Sequence, residues 1–373
     1  MNARWKPMRL VDAATLQRGF DLPTQERKPG SFPLVSSAGI SDSHECSAAF
    51  GPGVVTGRSG SIGNVFYIED DFWPLNTVLY VKDFHGNYPR FIYYLLQNFD
   101  LRRFASGSGV PTLNRNFVHD EIVHIPPLPE QQRIVAILDE AFEAIATAKA
   151  NTEKNLQNAR ALFESHLHNV FTHSDGKHRL RKLGDVCERI TVGHVGSMAS
   201  KYQASGIPFL RSQNVRPFQI SLDNVVYIDE IFDAALRKSR LRPGDVAVVR
   251  TGYPGTAAVI PDTLPIANCS DLVIVRPGPN TDPHYLTLFF NSRLGKELVA
   301  GEIVGAAQKH FNISAAKDVE IAFPPLGEQA AIVERMHTFR HEIQSLEAVY
   351  ARKQTALDSL KSSLLHQAFT GNL

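Results

Sequence analysis

The feature that most constrains the fold of this chain is a short sequence that occurs twice, each time before a long helical pattern. Residues 125–131 read Ile-Pro-Pro-Leu-Pro-Glu-Gln, and residues 323–329 read Phe-Pro-Pro-Leu-Gly-Glu-Gln, 198 positions further along. The apolar residues that follow the two copies keep the same offset. The chain is therefore predicted to contain a long internal duplication.

Each copy is followed by apolar residues at alternating steps of four and three over more than four heptads, the pattern of a coiled-coil seam. The double proline cannot lie inside a helix, so each helix is predicted to begin near the Glu-Gln pair. About forty residues form a rod of roughly 60 Å. The predicted seam positions are Ile134, Leu138, Ala141, Ile145, Ala148, Thr152, Asn155, Ala159, Leu162 and His166, then Ile332, Met336, Phe339, Ile343, Leu346, Tyr350, Lys353, Leu357, Leu360 and Leu364.

The matching registers favour pairing of the two helices with each other, and the alternative is that each packs on its own globular domain. The seam is less apolar in its middle, around Thr152 and Lys353, so a hydrated stretch that fixes the register is expected there. The remaining sequence predicts two mixed α/β domains. The predicted segments are a first domain at 1–126, a helix and linker at 127–178, a second domain at 179–324 and a second helix at 325–373.

Composition describes an ordinary globular protein of 373 residues, long enough for two domains that each bury a core. Its three cysteines lie far apart without metal-ligand spacing, which predicts reduced structural thiols in a cytoplasmic protein. No signal-peptide pattern and no membrane-length apolar run is found, so export and membrane insertion are not expected. Residues 179–323 carry 17 basic and 14 acidic side chains, too weak an excess for a self-sufficient DNA-binding domain.

Both domains contain a strand, a glycine-rich turn and a second strand, around residues 53–68 and 246–260. The first turn, Gly-Arg-Ser-Gly-Ser-Ile-Gly, is superficially like a dinucleotide fingerprint, but that motif must lead into a helix and here a β-rich segment follows. We therefore interpret both segments as hairpins, with Arg58 and Arg250 on their loops. The alternative for each arginine is a solvated position on a plain turn.

Catalytic patterns are not found in the sequence. The Pro-Pro pairs follow Ile125 and Phe323, so the amide or carboxylate of a DNA methyltransferase motif is missing. Asp12 with Glu26-Arg27-Lys28 has the letters of a nuclease metal site, but the second part lies in a polar loop, and chance explains it better. The sequence predicts no catalytic residue, no metal site and no cofactor site in this chain.

The duplication, the Pro-Pro-Leu-x-Glu-Gln helix starts and the glycine-rich hairpins together make the chain resemble the specificity subunits of Type I restriction-modification enzymes. The resemblance covers essentially the whole chain. It implies two target recognition domains alternating with two helices that pair antiparallel, with a pseudo-twofold layout. It also implies binding of double-stranded DNA without catalysis, two methyltransferase subunits and restriction subunits as partners, and S-adenosylmethionine, ATP and Mg²⁺ held by those partners.

Under this resemblance each domain reads one half of an asymmetric, two-part DNA site, because the corresponding loops differ in sequence. Side chains that can hydrogen-bond to base edges or phosphates are the candidates. They are Ser36, Ser37, Arg58, Ser59, Asn114, Arg115 and Asn116 in the first domain, and Arg211, Ser212, Gln213, Asn214, Arg250, Tyr253, Gln308, Lys309 and His310 in the second.

One departure concerns the last loop of the first domain, where Pro111-Thr112 stands opposite Lys309-His310 of the second repeat. That substitution puts this loop in doubt as a base reader. The alternative function is a coiled-coil scaffold whose α/β domains bind protein or glycan. The bases read, the spacer length and the presence of a restriction subunit do not follow from the residues.

Overall fold

The computed structural model describes residues 5–107, 111–172, 178–301 and 313–373. It divides the chain into two compact units, residues 1–153 with 351–373 and residues 154–350. Each unit therefore contains one α/β domain and parts of both long helices. Within the described ranges, no helix combines the length and the apolar character needed to cross a bilayer.

The first unit is built from eleven short strands and three short helices before its long helix. The strands are β1 (Lys6–Arg9), β2 (Thr15–Arg18), β3 (Phe32–Ser36), β4 (Gly39–His44), β5 (Gly53–Gly57), β6 (Val65–Ile68), β7 (Trp73–Pro74), β8 (Val78–Asp83), β9 (Ala105–Ser106), β10 (Thr112–Leu113) and β11 (Ile122–Ile125). The helices are α1 (Leu10–Ala13), α2 (Pro89–Asn98), α3 (Arg115–His119) and the long α4 (Leu128–Thr172).

The second unit repeats this order with insertions. Its strands are β12 (Leu180–Lys182), β13 (Cys187–Val192), β14 (Ile207–Leu210), β15 (Val215–Arg216), β16 (Gln219–Ile220), β17 (Val226–Ile228), β18 (Arg240–Leu241), β19 (Val246–Val249), β20 (Ala257–Val259), β21 (Ala267–Cys269), β22 (Leu272–Pro277) and β23 (Glu320–Ala322). Its helices are α5 (Leu183–Val186), α6 (Glu230–Ala235), α7 (Pro283–Asn291), α8 (Arg293–Ala300), α9 (Ile313–Asp318) and the long α10 (Leu326–Thr370).

The sheets confirm the predicted duplication. A four-stranded antiparallel sheet has the order β2-β8-β5-β6 in the first unit and β13-β22-β19-β20 in the second. Beside it lies a smaller sheet that contains one parallel pair, β3 with β7 in the first unit and β14 with β21 in the second. In each unit the first strand pairs antiparallel with the strand that precedes the long helix, β1 with β11 and β12 with β23.

The central strand of each larger sheet is buried on both faces, which explains its uninterrupted apolar sequence. Val54 faces the core formed with α2 and the long helices, whereas Val55 faces the smaller sheet. Val246 and Ala247 divide in the same way in the second unit. Successive strand residues point to opposite faces, so one short run of small apolar residues joins two cores.

The glutamine of the first repeated motif joins the long helix to its domain. Gln131 is 2% exposed, and its side-chain oxygen accepts a hydrogen bond from the Tyr88 backbone N–H at 2.8 Å, next to the start of α2. Its side-chain nitrogen donates to the Asn87 side chain at 2.8 Å and to the Pro126 carbonyl at 2.9 Å. One amide thus connects the start of α2, the loop before it and the proline pair.

The second copy of the motif makes the equivalent joint. Gln329 is fully buried and accepts a hydrogen bond from the Asp282 N–H at 2.8 Å, next to the start of α7. It donates to the Asn280 carbonyl at 3.1 Å and to the Pro324 carbonyl at 2.8 Å. In both copies the glutamine accepts one backbone hydrogen bond near a helix start and donates two, one of them to the carbonyl of the first proline.

The two long helices pack antiparallel within each unit. In the first unit Arg133, near the start of α4, donates to the Leu373 carbonyl at 2.8 Å, and Lys149 pairs with Asp358. In the second unit Arg160 pairs with Glu347 at 2.7 Å. Higher numbers on α4 meet lower numbers on α10, as expected for antiparallel pairing.

The seam follows the predicted positions as far as Thr152, which is 1% exposed, and then shifts by one residue. Leu162 is 59% exposed and the buried position is Leu167, while Leu346 on α10 is 41% exposed. The prediction that Asn155, Leu162, Leu346, Lys353 and Leu360 lie on the buried seam was wrong, because all five are exposed. His166 is exposed too, but its ring contacts Phe339 of α10, as expected for a residue that faces the partner helix.

The physical reason is one extra residue in the repeat. An α-helix has 3.6 residues per turn, so a strict seventh-residue repeat drifts around the helix, and an additional step of four restores the contact. On α4 the buried or half-buried positions run Ala159, Phe163 and Leu167, which replaces the expected step of three by a step of four and adds one residue. On α10 the positions Ile343, Glu347 and Tyr350 only reverse the order of the two steps. The continuation of a strict heptad was therefore the wrong extrapolation.

Candidate nucleic-acid interface

In the first unit, three segments that are distant in sequence meet at Thr77. The Arg58 and Ser59 backbone N–H groups both donate to the Thr77 carbonyl, at 2.9 and 3.2 Å. The Ser37 N–H donates to the Thr77 side-chain oxygen at 3.4 Å. The structure thus brings the predicted residues Ser37, Arg58 and Ser59 together at one edge of the sheet, with Ser36 ending the adjacent β3.

Two glycines allow the backbone segments at this edge to lie close together. A Cβ atom on Gly57 would lie 2.1 Å from the Ser61 carbonyl oxygen, so no larger residue fits without moving the loop. Gly60 has a φ of +81°, and a Cβ there would approach the Ser37 hydroxyl at 3.3 Å. The hairpin prediction is confirmed: β5 and β6 pair antiparallel on either side of this loop.

The last predicted segment of the first unit adjoins the same edge. The Leu113 N–H donates to the Arg58 carbonyl at 2.7 Å, which places the start of α3 beside the loop. The Asn114 side chain accepts a hydrogen bond from the Asn116 N–H at 3.0 Å and thereby caps α3. Arg115 and Asn116 are exposed in the first turn, so they are freer than Asn114 to contact a ligand.

In the second unit, the loop after β19 combines a held arginine with an exposed tyrosine. Arg250 forms an ion pair with Asp271 at 3.3 Å, and the Thr251 hydroxyl donates to the same carboxylate at 2.7 Å. Gly252 has a φ of +87°, and the Tyr253 beyond it is 82% exposed. The carboxylate therefore orients the guanidinium while the tyrosine projects into solvent.

In the segment after β14, hydrogen bonds within the unit hold two of the predicted residues. The Arg211 guanidinium donates to the Asn224 carbonyl at 2.8 Å and lies over the Tyr202 ring. Asn214 is fully buried, accepts from the Arg211 N–H at 3.1 Å and donates to the Ser221 carbonyl at 3.0 Å.

The prediction that Asn214 contacts bases was therefore wrong, because its side-chain amide is buried and hydrogen-bonds to backbone groups inside the turn. Ser212 and Gln213 stay accessible between them, in the turn at Ser212–Asn214. The predicted residues Gln308, Lys309 and His310 lie outside the described residues.

A cleft of about 1060 Å³ lies in the second unit between these loops and α4. Ser212, Gln213 and Tyr253 line one side of it, and the opposite side is formed by α4 around Glu164 and His168. The cleft gives these polar side chains a concave setting rather than a flat exposed surface.

Four basic residues beside the candidate edges were missed by the sequence analysis. Arg216 and Lys296 line the cleft, and Arg293 is paired with Glu297 at 2.6 Å. In the first unit Arg102 donates to the Ile62 carbonyl at 3.3 Å, next to the hairpin loop. The amphipathic spacing of Arg293, Lys296 and Glu297 was the one signal that could have indicated them.

Tight contacts fix the position of this cleft. A Cβ atom on Gly255, whose φ is +83°, would lie 2.8 Å from the Lys296 Cα, so the loop rests directly on α8. The turn between β15 and β16 rests on the long helices, because the Phe218 ring contacts Phe163 of α4 and the Arg340 guanidinium of α10. This contact places the turn, and with it Arg216 two residues before Phe218, beside the cleft.

The chain contains two duplicated α/β domains joined to paired long helices. In each domain, loops that contain glycine carry side chains able to form hydrogen bonds. This arrangement is that of a two-domain recognition protein. The family model described as Type I restriction modification DNA specificity domain matches residues 2–158 and 179–351. The chain therefore belongs to this family.

The chain is similar to specificity subunits from several organisms. It is 23% identical to the Type I restriction enzyme EcoKI specificity subunit and 20% identical to the EcoBI one, both from Escherichia coli, over 67% and 76% of its length. Those matches span only 57% and 65% of the two E. coli proteins. A putative type I restriction enzyme specificity subunit of Haemophilus influenzae is 24% identical over 90% of this chain and 87% of its own.

Solved structures share the fold. A chain in a structure of the complex assembly and conformational transition of the type I R-M system aligns with a TM-score of 0.79 at 19% identity, covering 100% of this chain and 99% of that one. The HsdS subunit from Thermoanaerobacter tengcongensis aligns with a TM-score of 0.63 at 20% identity, covering 100% and 98%. Both confirm the predicted fold of α/β domains alternating with long helices.

Proposed function

We propose that this chain is the sequence-specific DNA-binding subunit of a Type I restriction-modification complex. The observation that carries the proposal is the pair of corresponding loop edges. Each combines side chains able to hydrogen-bond with base edges, such as Arg58 and Gln213, with glycines that permit close approach. Family membership supports this reading over a scaffold that binds protein or glycan.

The two edges are expected to read different base sequences. The first presents serines and an arginine around Thr77, while the second presents an arginine held by Asp271 and an exposed tyrosine. Since hydrogen-bonding patterns in the major groove differ for each base pair, different side chains select different bases. The target is thus an asymmetric site of two half-sites.

The long helices serve as the spacer between the half-sites and as the docking platform for methyltransferase subunits. Each contains 45 residues, a length of roughly 68 Å. One turn of DNA is ~34 Å long, so half-site centres one to two turns apart suit a spacer of this size.

Catalysis belongs to the partners in this proposal. Two methyltransferase subunits dock on the chain in the cytoplasm, and restriction subunits complete the assembly. S-adenosylmethionine, ATP and Mg²⁺ are held by those partners, while this chain supplies the choice of sequence. The weak basic excess of the second domain fits a subunit that shares its attraction for DNA with partners.

Arg250→Ala tests the proposal in the full chain together with its methyltransferase partner. Methylome sequencing of the producing cells first supplies the two-part site. Binding to duplexes with single base changes is then measured, and the variant is expected to lose about 1–3 kcal/mol of discrimination at one half-site. Co-purification with the partner should be unchanged.

Lys317→Ala is the matched control, since this exposed residue lies in the last turn of α9, beside Gly184 of α5. It is expected to keep the affinity and the base preference of the parent chain. If Arg250→Ala bound every duplex as the parent does, Arg250 would be removed from the interface.

A further inference from the structure

The second unit carries a basic cleft that the candidate interface does not use. It has a volume of about 590 Å³ and is lined by Arg189, Arg237, Arg240, Arg242 and Arg276. Arg242 lies before β19, whereas the Arg250 loop follows that strand. Four strand residues span ~13 Å, so the arginine cleft and the candidate interface lie at opposite ends of one sheet.

Two of the five arginines are neutralised by buried carboxylates. Arg276 forms a bidentate pair with Asp245 at 2.7 and 2.8 Å, and Asp245 is 1% exposed. Arg240 pairs with Asp233, which is also buried. These pairs are part of the folded core and shape one side of the cleft.

The other three arginines keep their charge uncompensated. Arg189 donates to the Lys238 backbone carbonyl at 3.2 Å, and Arg237 and Arg242 are exposed. Across the ranges that the structure describes, none of the three forms an ion pair. Glu230 is the acidic residue that lines the cleft without such a pair, so the cleft retains a positive excess.

The first unit shows that the fold does not require this cluster. Ile190 faces Val275 in the second unit as Leu16 faces Val81 in the first, so Arg189 corresponds to Thr15. Arg242 corresponds to Gly51 by the repeated Pro-Gly that follows each. Two of the three free arginines are therefore additions on a framework that folds without them.

We infer that the arginine cleft binds phosphate groups. Guanidinium groups present planar pairs of donors that match phosphate oxygens, and several of them around one cavity favour a multiply charged anion over a single carboxylate. The DNA backbone outside the half-site and a free polyphosphate share this chemistry. None of these residues belongs to the candidate interface. A polyphosphate ligand is independent of the proposed function, whereas the DNA backbone as ligand rests on it.

The test compares the full-length chain with the triple variant Arg189→Gln, Arg237→Gln, Arg242→Gln. A control triple variant, Arg179→Gln, Lys182→Gln, Lys317→Gln, removes the same charge from the surface of the same unit outside the cleft. Circular dichroism checks that both fold. Binding of inorganic triphosphate is measured by calorimetry, and binding of a labelled duplex is measured across a salt series.

A free polyphosphate as ligand predicts that triphosphate binding weakens at least tenfold in the cleft variant and stays unchanged in the control. The DNA backbone as ligand predicts that the slope of log affinity against log salt falls by about 2–3 in the cleft variant, since each phosphate contact contributes ~0.9. If the cleft variant matched the control in both measurements, the inference would be overturned. Failure of the parent chain to bind any duplex would count against the proposed function and leave the triphosphate measurement decisive for the cleft.

Discussion

At the scale of single residues, the glutamine of the repeated motif explains why the motif exists. Gln131 and Gln329 each place one amide among three backbone or side-chain partners at the joint between domain and long helix. Removing such a buried amide destabilises the fold, because the buried groups that it leaves without a hydrogen bond cannot bond to water instead. The prolines before it end the domain, and the glutamine fixes the helix to it.

Gln329→Leu is expected to lower the free energy of unfolding by about 2–4 kcal/mol, because the Asp282 N–H and the two carbonyls lose a buried partner. Urea unfolding of the full chain measures this. The neighbouring Glu328→Gln, at an exposed position, serves as the control and should change the value by less than ~0.5 kcal/mol. Equal effects of the two variants would mean that the joint does not depend on this amide.

A second residue-scale prediction concerns pH. The Nε2 atom of His119 accepts a hydrogen bond from the Leu16 N–H at 2.9 Å, so the ring must be neutral. Burial, and then the nearby Arg115, lower the pKa of His119 below its ordinary value of 6.5. Below pH 6.5 the unfolded chain takes up this proton before the folded chain does, so stability falls as the pH drops towards the folded pKa and then levels off.

His119→Gln keeps an acceptor for the Leu16 N–H but cannot titrate. Unfolding midpoints at pH 7.5 and 5.5 should therefore differ less for this variant than for the parent chain, and other titrating groups cancel in the comparison. A larger pH dependence in the variant would contradict the neutral ring.

At the scale of elements, the shifted seam makes a direct prediction for α4. Leu167 is 2% exposed and packs in the core of the second unit, whereas Leu162, which a strict heptad would bury, is 59% exposed. Leu167→Ala should destabilise the protein by ~2–5 kcal/mol and Leu162→Ala by less than ~0.5. Denaturant unfolding measures both effects. A larger destabilisation by Leu162→Ala than by Leu167→Ala would contradict the shifted seam.

Elements with strong local signals could be predicted from the sequence. The prolines at the starts of α2 and α7, with an amphipathic pattern behind them, predict helices, and the structure has them at Pro89–Asn98 and Pro283–Asn291. The long helices begin at Leu128 and Leu326, two residues before the expected Glu-Gln pair. The apolar sequence of residues 32–40 predicts one strand, but the structure has β3, a turn and the start of β4 there.

Elements that depend on distant contacts could not be predicted. The turn between β15 and β16 needs Phe218 at a φ of +66°, a conformation that bulky residues rarely adopt. It is supported by a hydrogen bond to the Ala257 carbonyl, by the Phe163 ring of α4 and by the Arg340 guanidinium of α10. None of these partners is near Phe218 in sequence, so no local pattern indicates the turn.

At the scale of the whole molecule, the duplication could be predicted because both the motif and its spacing repeat. Which loop residues come together in each domain could not be predicted. Ser37 and Arg58 meet through Thr77, which the sequence analysis did not select. Asn214 carried the right chemical groups for base contact, yet its burial gives it a structural role. The type of a side chain makes a residue a candidate for base contact, but the surrounding fold decides whether that side chain reaches the surface.

The central claim is that each α/β domain reads one half of a two-part DNA site and that the long helices set the gap. Replacing residues 179–324 by the corresponding domain of a relative, with both helices kept, tests it by methylome sequencing in cells that supply the methyltransferase partner. One half-site and the gap should be retained while the other half-site changes. A continuous target, or a change in both halves, would contradict it.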